Sequence, residues 1–211
     1  MKKWPIMMLA LSLLASATLF AQGSEKKTIK TGEFTSIGLG LSATVYVMKG
    51  DHKVEVEGPA SAVDKMKFET KSGSLNIERE DNLRNWKGNG VIVYVTMPNI
   101  TGLAIGGSGD IMVKDEFTAM GDLDLSIGGS GSIKMSGKAK NVSVSIAGSG
   151  DVDATGLSGN NCEVSIAGSG EAKVGEMQAL EVSIAGSGDV GYKGEPKLTK
   201  SIVGSGDVKK M

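Results

Sequence analysis

Residues 142–151 read Val-Ser-Val-Ser-Ile-Ala-Gly-Ser-Gly-Asp. The second part of this phrase occurs in six variants, beginning at Ile105, Ile127, Ile146, Ile166, Ile184 and Ile202, at intervals of 22, 19, 20, 18 and 18 residues. A recurring period of this length is one coil of a solenoid, too short for the helical-hairpin repeats of about 33 residues or more. Two and four places before each isoleucine stand mostly apolar residues, such as Leu125 and Leu123, Val144 and Val142, or Val182 and Leu180. Between them lie Ser126, Ser145, Ser165, Ser183 and Ser201, flanked by Asp124, Ser143, Glu163 and Glu181. Period-two alternation marks a strand with its apolar side inward. Six places after the isoleucine come Ile111, Ile133, Val152, Ala172, Val190 and Val208, the start of a second inward-facing strand. Gly-Ser-Gly between the two strands reads as a corner, because glycine permits positive φ and close approach of neighbouring chains.

Strand, corner, strand and a looser return of 6 to 10 residues, stacked at about 4.8 Å per coil, make an all-β, single-stranded parallel β-helix. Its corners form a ladder of Ser108, Ser130, Ser149, Ser169, Ser187 and Ser205, followed by the acids Asp110, Asp151, Glu171, Asp189 and Asp207. The ladder is structural and offers a possible ligand-binding face. With 4% aromatic residues, a narrow interior is expected to be filled by Ile, Val, Leu and Ala rather than Trp or Phe.

Residues 24–104 repeat less regularly. Alternation at 44–48, 53–57, 74–78 and 91–95 predicts four strands, with turns at Gly50-Asp51, Ser72-Gly73 and Asn89-Gly90. Residues 36–42, Ser-Ile-Gly-Leu-Gly-Leu-Ser, resemble a worn copy of the glycine phrase. A helical turn is expected over 59–66, with Pro59 at its start. These residues read as irregular coils continuous with the regular coils of 105–208, giving one β-helix domain over 22–211 and a rod of about nine coils, roughly 40 Å long. In the last coil Lys200 and Lys210 occupy columns that are mainly apolar earlier, a device that discourages edge-to-edge pairing.

Residues 1–21 have two lysines, an apolar run and small residues at their end, the pattern of a cleaved signal peptide. Cleavage follows Ala17 or Ala21. The second leaves a chain with 21 bases (23 less Lys2 and Lys3) against 24 acids, a net charge of −3. That balance lacks the footprint of a nucleic-acid binder, and no later segment is long enough to span a bilayer as a helix.

Chemistry is sparse. One histidine, His52, in a turn expected to be exposed, cannot build a multi-histidine metal site, and Cys162, in an inward column, reads as an inert buried thiol. The acid of each corner directly follows glycine, unlike the Gly-Gly-x-Gly-x-Asp spacing of calcium-binding β-helices, so neither a metal nor a cofactor is expected. Gly-Gly-Ser-Gly also lacks the lysine and helix of a phosphate loop. The richest irregular patch is the loop at 78–87, whose Arg79, Arg84, Trp86 and Lys87 form a candidate binding cluster in which Trp86 offers a stacking surface. Paired carboxylates in an enriched cluster, which a glycan-cleaving enzyme needs, are missing from the repeat.

An exported chain with irregular strands followed by Ile-Ala-Gly-Ser-Gly-Asp-Val coils resembles the bacterial secreted proteins described as putative auto-transporter adhesins, head GIN domain, common in Bacteroidetes. The resemblance spans residues 30–208 and implies a right-handed single-stranded parallel β-helix with an adhesive role. It brings no catalytic residues. The expected function is therefore a non-enzymatic binding module of the cell envelope, lodged in the periplasm, on the outer surface or secreted, whose partner is a glycan or protein on a cell surface. A periplasmic structural or envelope-stress protein without an external ligand is the alternative, and a carbohydrate-active enzyme is a third reading.

Overall fold

The computed structural model describes residues 24–80 and 90–211. The expected signal segment and Arg84, Trp86 and Lys87 lie outside the described residues. From β8 (Gly102–Ile105) and β9 (Asp110–Val113), the chain winds through β10 (Phe117–Gly129), β11 (Ser132–Gly148), β12 (Asp151–Gly168), β13 (Glu171–Gly186), β14 (Asp189–Lys193), β15 (Lys197–Gly204) and β16 (Asp207–Lys210). These strands form a parallel β-solenoid of about five turns, not the nine coils expected, because part of the earlier chain pairs antiparallel instead of adding coils.

On its first face the isoleucines stack in one register, Ile105 on Ile127, Ile146, Ile166, Ile184 and Ile202. On the second face Ile111, Ile133, Val152, Ala172, Val190 and Val208 form the matching column. All but Ile202 are buried, and burying each large aliphatic side chain favours folding by about 1.5–3 kcal/mol.

The return between these faces is not loose. It forms a third hydrogen-bonded face, where Lys138 pairs with Ser158 and Ser158 with Glu176. Bulges at Lys134/Ser136, Ala154/Ser158 and Val174/Glu176 let coils of 18 to 22 residues share one register, because each bulge absorbs an extra residue without moving the inward columns to the other side of the strand. The core also departs from the expectation of small aliphatics alone. Phe34 and Phe117 are each 2% exposed, and no polar or charged residue among those described is buried.

The first part of the chain is not laid down as successive coils. β2 (Ser36–Leu39) and β3 (Thr44–Lys49) make a coil that pairs with β8 and β9 on one side. Its other side carries β6 (Ser74–Arg79) and β7 (Ile92–Met97). The first coil in sequence is therefore second in the stack. Beyond it, strands run antiparallel: β5 (Met66–Lys71) on β6, and β4 (Lys53–Pro59) and then β1 (Ser24–Ile29) outside β7. The β5–β6 turn has Ser72 at φ 50° and Gly73 at φ 77°, both in the left-handed region that a tight two-residue hairpin requires. A single helical turn, α1 (Ala60–Val63), follows Pro59, which caps it rather than opening it; Ala62 and Val63 are buried. Together these pieces close one end of the solenoid.

The other end is open. Among the described residues β15 pairs only with β13, and β16 only with β14. There Lys200 lies in register with Val182 and Lys210 with Tyr192, both exposed, with Lys210 ion-paired to Glu195.

The corners explain the phrase residue by residue. In the copy at 127–131, Gly129 has φ +151°, and a Cβ there would lie 2.3 Å from the carbonyl oxygen of Gly107 in the preceding coil. That carbonyl accepts the backbone N–H of Ser130 at 3.0 Å, and the same bond recurs from Ser149 to Gly129 and from Ser169 to Gly148. Its neighbour Gly128 is exposed and meets only the Ile105 oxygen at 3.8 Å. This position accordingly carries alanine at 147, 167 and 185 and valine at 203.

Candidate functional site

The corner ladder is built into the fold. Ser108, Ser130, Ser149, Ser169, Ser187 and Ser205 are all exposed, but their backbone amides from Ser130 onward are spent on the preceding coil. Several acids beyond them have partners as well. Asp110 accepts from the Ser132 hydroxyl at 2.5 Å, Glu171 accepts from Lys173 at 2.9 Å, and Asp189 accepts the backbone N–H of Asp207 at 2.9 Å. Among the described residues no group of three acids, histidines or cysteines is placed to hold a metal ion.

Arg79 ends β6 two places past Ile77, which shares a column with Leu39 and Ile105. It therefore stands, exposed, at the corner end of the first face and opposite Met66 of β5. Of the loop cluster it alone can be placed.

A different feature forms an open concavity on the first face. On the first face, residues five places before the stacked isoleucines form one outward row: Asp122, Asn141, Asn161, Ala179 and Lys197. Residues three places before form a second: Asp124, Ser143, Glu163, Glu181 and Thr199. Alternate residues of a strand point the same way and stand about 6.6 Å apart, so the two rows flank a floor made by the strands between them. The result is an open groove of about 670 Å³ that crosses five levels. Its first row is tied along the axis: Asn141 Nδ2 donates to Asp122 Oδ1 at 2.7 Å, and Asn161 Nδ2 donates to Asn141 Oδ1 at 2.9 Å.

Inward from the floor points Cys162, 2% exposed. Burial, and after it the charge of Glu163, push its thiol up to about 12, so it is held as an inert thiol. His52 is half-buried rather than exposed. Its Nε2 lies 2.7 Å from the Phe34 carbonyl oxygen, and its ring meets Phe34 edge-on at 4.9 Å. The same Nε2 lies 3.3 Å from the Phe34 backbone nitrogen, so in either tautomer the ring fastens the segment entering β2 to the turn after β3.

Fold and groove now stand beside known proteins. The family described as putative auto-transporter adhesin, head GIN domain, matches residues 33–196. The chain belongs to this family. Among solved structures, a putative adhesin from Bacteroides fragilis is similar at a TM-score of 0.71 and 21% identity, covering 90% of this chain and 98% of that one. A putative adhesin from Parabacteroides merdae is similar at a TM-score of 0.50 and 17% identity, covering 89% and 96%. At these identities the likeness speaks to the fold, and function has to be argued from the site. No curated protein matches the chain. The head GIN domain thus has its repeats in the five turns and its irregular part in the cap. Among its described residues no helix is long and apolar enough to cross a membrane.

Proposed function

We propose that this head GIN protein is an exported, non-enzymatic binding module of the cell envelope, and that the two-row groove holds its partner. The groove carries the reading: one open concavity edged by two rows of mainly polar side chains and crossing five levels, long enough to lie against an extended polymer. A general acid needs a desolvated carboxyl that keeps its proton at neutral pH, whereas Asp122, Asp124, Glu163 and Glu181 are all exposed. Solvated groups set in series along an open groove suit holding rather than cutting. The adhesin description of the family agrees with this reading, and the lysine-flanked apolar run of residues 1–21 supports export.

The test is retention of the purified protein on immobilised glycans and matrix proteins, compared with the charge-reversed variant Glu163→Lys/Glu181→Lys. Retention that the variant loses is expected. Equal retention of the two proteins, or none at all, would remove the groove reading, and release of new reducing ends from a polysaccharide would make the protein an enzyme. Protease shaving of intact cells is expected to remove a surface-exposed protein; survival would place it in the periplasm.

A further inference from the structure

We infer that the groove takes a β-linked glycan bearing free amino groups, laid along the solenoid axis with one sugar to each coil. This rests on the reading of the groove as the binding site.

Spacing comes first. Each coil contributes one residue to each row, so a side chain recurs about every 4.8 Å along each side of the groove. An extended peptide lying there presents side chains to the same side about every 6.6 Å and falls out of step within two coils. A β-1,4-linked hexose chain advances by close to one coil height per sugar and so sets one sugar beside each level of the groove.

Charge comes second. The lining holds four acids, Asp122, Asp124, Glu163 and Glu181, against the single base Lys197, a balance of −3. Elsewhere on the rod many carboxylates have a lysine partner: Glu55 has Lys26 and Lys53, Glu69 has Lys67, Asp153 has Lys134, and Glu171 has Lys173. Among the described residues no such ion pair neutralises Asp124, Glu163 or Glu181. The row that would meet a polymer keeps its negative charge. An ammonium group meeting a carboxylate makes a charge-assisted hydrogen bond, roughly twice as strong as a neutral one, while an acidic glycan is repelled.

Hydrogen-bonding capacity comes third. Among the described residues no aromatic side chain lines the groove, which leaves charge and hydrogen bonds to carry recognition. The amides of Asn141 and Asn161 each use one N–H within the row and keep a second, which leaves donors for sugar hydroxyls beside the acids that would take the amines.

The experiment titrates the purified protein by calorimetry with a glucosamine hexamer, its fully N-acetylated counterpart, hexalysine and an oligogalacturonate. Mildly acidic buffer keeps the sugar amines protonated. The glucosamine hexamer is expected to bind tightest, with affinity falling as salt rises. Glu163→Gln and Glu181→Gln are each expected to weaken it by about two- to fivefold, the range for exposed charge pairs. Lys71→Ala, at the end of β5 and away from the groove, is expected to leave binding unchanged. Because all three positions are exposed, an unaltered melting temperature separates lost binding from lost fold.

Equal or tighter binding of the N-acetylated hexamer, weakened by the same glutamine variants, would overturn the amino-sugar inference and leave the groove as the binding site. Tighter binding of hexalysine would make the partner a basic peptide. Binding of the glucosamine hexamer that neither glutamine variant weakens would overturn both the inference and the groove reading.

Discussion

Adding one methyl group to either of two adjacent glycines is expected to have opposite effects. Gly129→Ala places a Cβ 2.3 Å from the Gly107 oxygen, a distance no relaxed contact reaches, on a residue whose φ of +151° alanine rarely adopts. Forcing such a backbone costs about 1–3 kcal/mol. Displacing the Gly107 carbonyl also disturbs the 3.0 Å bond it accepts from Ser130, worth about 0.5–1.5 kcal/mol. The total is roughly 2–4 kcal/mol, which lowers the melting temperature of a chain of this size by about 5–15 °C. Gly128→Ala meets nothing nearer than 3.8 Å and copies the alanine found at 147, 167 and 185. It is expected to stabilise by about 0.4–1 kcal/mol through the unfolded chain. Thermal and urea unfolding of the two variants beside the parent decide the matter. Coincident transitions for the two, or an unmoved midpoint for Gly129→Ala, would refute the account of the corner.

Three further expectations follow from the same geometry. Ile146→Ala, in the middle of the buried column, should cost about 2–5 kcal/mol, and Ile202→Ala in the half-buried last coil clearly less; equal shifts in urea midpoint would contradict the open end. Cys162 should resist maleimide at neutral pH in the native protein and react only in denaturant, with labelling followed by intact mass; rapid native labelling would show that the floor of the groove opens. For Asp153 burial favours the neutral form, but hydrogen bonds from Lys134 and Thr155 outweigh it and hold the carboxyl below its ordinary 3.8. A carboxyl depressed in the folded state adds stability above its unfolded value and loses it as pH falls through the folded one. Asp153→Asn should therefore be less stable than the parent at neutral pH and converge with it once the pH has dropped below 3.8; a constant gap across that range would refute the pairing.

The repeat was legible because its chemistry is local. Isoleucine, small residue and glycine corner recur at fixed spacing, and even the worn copy takes its place in register, with Leu39 beside Ile105. Stack order was not legible, because alternation records which side of a strand is buried and not which strand lies next to it. Val45, Val56 and Val93 alternate alike, yet β3 meets β7 in parallel and β4 meets β7 antiparallel. Half of the groove was visible as Asp124, Ser143, Glu163 and Glu181. The other half runs Asp122, Asn141, Asn161, Ala179, Lys197 and changes character at nearly every step, so only three-dimensional register makes it a row. The third face was hidden by its bulges, which vary the residue count between columns.

One end of the rod is fixed and the other is extensible. The closing strands and β2–β3 lock into one another out of chain order, so nothing can be inserted there without breaking several pairings at once. At the far end, among the described residues, the last coil pairs only with the one before it. Duplicating a single coil of 18 residues would lengthen the rod by about 4.8 Å and add one residue to each row of the groove. In such a protein, reach and the number of contacts with a long partner are adjusted by copying, with the architecture left untouched.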